Sequence, residues 1–91
     1  MKPDIEMVAI ITGRVQGVGF RATTKDLADQ LGLFGSASNL SDGSVKIIAQ
    51  GPKEKLEQLI EMLKKEFGNY IQDIDISFRP SSQKQETFKS Y

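Results

Sequence analysis

The segment Gly13-Arg14-Val15-Gln16-Gly17-Val18-Gly19-Phe20-Arg21 sets glycines at short intervals and ends on an arginine, a composition suited to holding phosphate. Glycine accepts positive φ and lets a ligand approach the backbone closely. Successive amides in such a loop converge into an anion-binding nest. A helix starting at Phe20 adds its own free N–H groups and the positive end of its dipole at the same place. The dipole contributes about 0.3–1 kcal/mol, and up to about 2 kcal/mol when partly buried. Arg21, in the first turn of that helix, carries a planar fork that matches phosphate oxygens in pairs. The competing reading is a tight turn with a solvated arginine. A cation at a helix start opposes the dipole, and an anion held between the two removes the conflict. The residues therefore favour a phosphate cradle.

Other candidates for chemistry are few. The 91 residues include no cysteine and no histidine, which leaves no disulfide, no thiolate ligand or nucleophile, no imidazole base and no phosphohistidine. Ser41 has no base to activate it. Asp73 and Asp75 resemble paired carboxylates, but alternation places them on the solvent side of an outer strand. Asn39, beside Ser41-Asp42-Gly43, suits a turn-former. The 12 basic and 12 acidic residues cancel, so there is no broad electrostatic footprint for nucleic acid. An RNA-binding sheet would also need exposed aromatics on its central strands, where this chain offers Lys46, Ile48 and Gln50.

The positioning elements follow from periodicity. Ile5 to Ile11 sets Met7, Ala9 and Ile11 on one face and Val8 and Ile10 on the other, and reads as a central strand. From Phe20 a helix pattern carries Thr24, Leu27, Ala28 and Leu31 toward one side and ends at Gly32, a fitting C-cap. Phe34–Asn39 is extended but weak. Val45, Ile47 and Ala49 alternate with Lys46, Ile48 and Gln50, and Asp42-Gly43 between these two runs signals a hairpin. Pro52 opens a second helix with the stripe Leu56, Leu59, Ile60, Leu63 and Phe67, closed by Gly68. Glu61 and Lys65 are spaced for a helical ion pair. Ile74, Ile76 and Phe78 alternate with Asp73, Asp75 and Ser77 until Pro80 ends the strand. Ser81–Glu86 reads as a polar, mobile loop, and Thr87–Tyr91 has the makings of a short edge strand. The order β-α-β-β-α-β predicts an α+β, ferredoxin-like sandwich: an antiparallel sheet with two helices on one face, and a short fifth strand if the C-terminus returns to it. At this length one domain over residues 1–91 is expected. Residues 2–6 lack the apolar run of a signal peptide, and Met7–Ile11 is too short to cross a bilayer. The expectation is a soluble, cytoplasmic, metal-free domain.

The loop GRVQGVGFR closely resembles the signature of the acylphosphatase family, and the likeness continues through Thr24, Leu31-Gly32-Leu33, Gly35, Asn39, Asp42-Gly43, Val45, Gly51-Pro52 and Phe88. That family has the βαββαβ sandwich already reached from periodicity. The resemblance implies hydrolysis of the carboxyl–phosphate bond of an acyl phosphate, giving a carboxylate and inorganic phosphate. It implies that Arg21 binds the phosphoryl group, that Asn39 orients the attacking water, and that the amides of Val15, Gln16, Gly17, Val18, Gly19, Phe20 and Arg21 hold the phosphoryl oxygens. No cofactor or metal is implied. The expected partners are a small acyl phosphate and inorganic phosphate, with no nucleic acid or membrane, and the chain is expected to act as a monomer. The composition is compatible with this chemistry. A carboxylate leaving group, with a conjugate acid of pKa about 4, needs no general acid, and a loose phosphoryl-transfer transition state needs no strong base.

Two positions depart from the family pattern. Ser36 stands where an aromatic or apolar residue is usual, and Ser38 where a basic residue is frequent. Weaker strand packing or an altered substrate preference is expected from them. The alternatives are a non-catalytic phosphate-binding module on the same scaffold and the acylphosphatase-like domain of larger carbamoyl-transfer maturation proteins. The short chain, with no zinc-finger segment, counts against the second.

Overall fold

The structure, a computed structural model, describes residues 5–81 and 86–91. The strands are β1 (Ile5–Gly13), β2 (Phe34–Asn39), β3 (Val45–Gly51), β4 (Ile71–Pro80) and β5 (Phe88–Ser90); the helices are α1 (Phe20–Leu31) and α2 (Lys53–Phe67). They form one sheet in the order β4-β1-β3-β2-β5. The first four strands pair antiparallel as the alternation predicts. β5 lies parallel to β2, with Gly35 opposite Phe88, so the sheet is mixed at that edge. This is the ferredoxin-like α+β sandwich. Of the segment read as a mobile loop, residues 82–85 lie outside the described part.

The core explains the layering. The buried face of the sheet comprises Met7, Ala9 and Ile11 of β1, Ala37 of β2, and Val45, Ile47 and Ala49 of β3.

 Against it pack Phe20 and Ala28 of α1 and Leu56, Leu59, Ile60, Leu63 and Phe67 of α2, burying the apolar stripe that defines each helix. Leu27 and Leu31 sit at the margin of this core, partly buried. α1 ends on Gly32 in the left-handed conformation, its N–H and that of Leu33 returning to the carbonyls of Asp29 and Ala28. Gly68 instead stays right-handed (φ −49°), so α2 ends without the left-handed glycine that ends α1. Glu61 meets Lys64, at 3.5 Å, in place of Lys65, and both side chains are exposed enough that the pair contributes little.

The other face of the sheet carries no helix. Val8, Ile10, Ser36, Ser38, Lys46 and Ile48 are half-buried there. Glu6 and Gln50 are nearly fully buried, with Gln50 Nε2 donating to Glu6 Oε1 at 2.9 Å and Arg79 Nε donating to Glu6 Oε2. Burial pushes the Glu6 carboxyl up, but the hydrogen bonds from Gln50 and Arg79 outweigh it and leave the group below its ordinary value.

Candidate active site

The loop between β1 and α1 is pinned at both ends by apolar side chains. Val15 and Phe20 are each 1% exposed, and the Phe20 ring packs on Phe67 of α2 with centroids 4.9 Å apart. With those side chains turned inward, the intervening backbone lies at the surface: Gly17 and Gly19 are exposed, with φ of 77° and 80°. The loop begins at Gly13, where β1 shifts register against β4. Arg14 N–H donates to Tyr70 O at 2.8 Å, and Thr23 N–H donates to Gly19 O at 3.0 Å. Between these two bonds, among the described residues, no protein acceptor meets the backbone N–H of any residue from Val15 to Ala22. Gly19 caps α1 without a side-chain hydrogen bond, and the first turn holds no acidic residue. Unmet donors at a helix start ordinarily find a capping side chain or an acidic neighbour. This run has neither, and is open to an anion.

Arg21 occupies the first turn of α1, half-buried, and no carboxylate pairs with it among the described residues. Asn39 is the last residue of β2, exposed, and pairs in register with Val45, which is in the same row as Ile11 of β1. Alternation from buried Gly35 and Ala37 puts Asn39 on the helix-covered face. It therefore shares both a face and an end of the sheet with the loop that follows Gly13. Asp73 and Asp75 are exposed on β4, as alternation predicts.

A third connection is absent from the sequence reading. Gln16 Nε2 donates to Leu40 O at 2.8 Å and to Ser44 O at 2.9 Å, tying the loop to the β2–β3 turn. That turn is closed by Leu40 N–H to Ser44 O at 2.8 Å and Gly43 N–H to Leu40 O at 3.2 Å. The Asp42 carboxylate accepts from Ser44 Oγ at 2.5 Å and from Ser44 N–H at 3.0 Å. These bonds, the hydroxyl first, hold the Asp42 carboxyl below its usual range. The one signal in the sequence was a long polar side chain in a loop otherwise made of glycine, valine and arginine. A cavity of about 260 Å³ between α2 and β4, lined by Met7, Ile60, Ile76 and Phe78 among others, includes none of the loop residues.

Comparison with known proteins identifies the family. The acylphosphatase family model matches residues 7–90. The chain is 63% identical over 54 residues to an acylphosphatase of Latilactobacillus sakei, a match covering 59% of each chain. It is 53% identical over 58 residues to one of Thermus thermophilus, covering 64% of this chain and 66% of that protein. These alignments thus span less than two thirds of either relative. The crystal structure of acylphosphatase from Bacillus subtilis superposes with a TM-score of 0.87 at 33% identity, over 96% of this chain and 98% of that one. With its fold and residues 7–90 matched, the chain belongs to the acylphosphatase family.

Proposed function

We propose that the protein hydrolyses acyl phosphates, and that the loop from Val15 to Arg21 is the cradle for the transferred phosphoryl group. The observation that carries this reading is the unbroken run of backbone N–H groups without a protein acceptor, ending beside Arg21. Those donors and the guanidinium meet the charge on the phosphoryl oxygens, in the manner of a preorganised oxyanion site. Asn39 orients a water for in-line attack on phosphorus. The P–O bond to the acyl group breaks, the carboxylate departs with the bonding pair, and the water's oxygen remains on phosphorus, giving carboxylate and dihydrogen phosphate from the dianion. A carboxylate is a good enough leaving group to depart unprotonated. Positioning then supplies most of the acceleration. The reading includes a monomer in the cytoplasm that acts on a small molecule and uses no nucleic acid.

The test is hydrolysis of benzoyl phosphate by the wild type, Arg21→Ala and Asn39→Ala. Each substitution is expected to lower kcat at least about 10²-fold, as loss of a transition-state donor does. Arg21→Ala should also weaken inhibition by inorganic phosphate, whereas Asn39→Ala should leave it nearly intact. A wild type that binds phosphate without turnover would make the protein a phosphate-binding module.

A further inference from the structure

We propose that the Gln16 side chain is a positioning residue that sets the distance between the cradle and the water-orienting Asn39; the inference rests on the hydrolytic reading above. Gln16 contributes a backbone amide to the cradle, yet its side chain is directed to the β2–β3 turn. Both hydrogens of its Nε2 are used, one on Leu40 O at 2.8 Å and one on Ser44 O at 2.9 Å. The orientation is unambiguous, because the opposite amide flip would set Oε1 against two carbonyl oxygens.

The two gripped carbonyls are placed to matter. Leu40 immediately follows Asn39, and Ser44 immediately precedes Val45, the residue paired with Asn39 across the strands. Gln16 therefore grips the rung of the hairpin next to Asn39, from the middle of the cradle itself. Each carbonyl keeps a second donor, Gly43 N–H on Leu40 O and Leu40 N–H on Ser44 O. The turn thus has its own closure without Gln16. What Gln16 adds is the turn's attachment to the loop. Among the described residues no other loop side chain from Gly13 to Arg21 is hydrogen-bonded to the hairpin. A nucleophile misplaced by about 1 Å can lower turnover by about 10²-fold, so this attachment acts on turnover more than on phosphate affinity.

The experiment compares Gln16→Glu, Gln16→Met, Asn39→Ala and the Gln16→Met/Asn39→Ala double variant. Glutamate keeps the size but turns oxygens toward both carbonyls; methionine keeps the length without the charge and serves if glutamate does not fold. Expected is a fall in kcat of about 10–10²-fold for benzoyl phosphate, with inhibition by inorganic phosphate little changed. In the Asn39→Ala background the Gln16 substitution should cost almost nothing more, because its effect passes through Asn39. Additive losses, a parallel loss of phosphate inhibition, or an unchanged kcat would overturn the proposal. A second readout does not need turnover. Inorganic phosphate should shift the amide NMR signals of Leu40 and Ser44 along with those of the cradle in the wild type, and those of the cradle alone in Gln16→Met. Hairpin signals unmoved by phosphate in the wild type would also overturn it. A wild type that shows this coupling and hydrolyses no acyl phosphate overturns the hydrolytic reading and leaves the attachment standing.

Discussion

Single positions in the loop differ in what they tolerate, and the difference is physical. A Cβ added at Gly13 would lie 2.1 Å from Tyr70 O and 2.7 Å from Gln72 N, both backbone atoms of the neighbouring strand region. At Gly19 an added Cβ meets nothing within 4 Å, so only the left-handed φ of 80° opposes substitution. Gly19→Ala is expected to lower stability by about 1–2 kcal/mol and to weaken phosphate inhibition by shifting the amides of the cradle. Gly13→Ala should exceed the roughly 1–3 kcal/mol of ordinary overpacking, since backbone must move. Chemical denaturation of the two variants checks the order. The sequence showed that this loop needed glycines, but only the placement of Tyr70, far along the chain, separates the two cases. The serines are similar. Ser36 and Ser38 look like gaps in a core strand, yet both face the helix-free side, opposite Ile48 and Lys46. Ser38→Lys would set like charges directly across the pair, and a lowered Tm is expected.

At the scale of elements, alternation and helical spacing were enough to find the four antiparallel strands and both helices along the chain, although β4 buries no continuous face and leaves Ile76 and Phe78 exposed. They said nothing about direction at the edge. Phe88–Ser90 is too short to carry a pattern, and its parallel pairing with β2 depends on where the chain re-enters the sheet. Nor could they show that Glu6, a charged residue in an apolar strand, is buried with Gln50 and Arg79, since those partners come from β3 and β4. This cluster makes stability depend on pH. The folded carboxyl titrates below its ordinary value, so its contribution is complete above that value and is lost as the pH falls through the lowered one. Thermal melts between about pH 3 and pH 7 should show a shallower acid limb for Glu6→Gln than for the wild type. An identical limb would mean that Glu6 ionisation does not contribute.

For the molecule as a whole, the proposed mechanism assigns to the loop and Arg21 the positive field that many phosphoryl-transfer sites take from a cation. Among the described residues no group of three or more acidic side chains is arranged to hold a metal ion. Benzoyl phosphate hydrolysis is expected to be unchanged by EDTA, and activity lost to the chelator and restored by Mg²⁺ would contradict the proposed mechanism. The unmet donors from Val15 to Ala22 have one more effect. Backbone amides and a guanidinium keep the same charge throughout the physiological range. Binding to them should therefore follow the ionisation of the ligand: affinity for inorganic phosphate should track its passage from monoanion to dianion, with no additional inflection contributed by the protein.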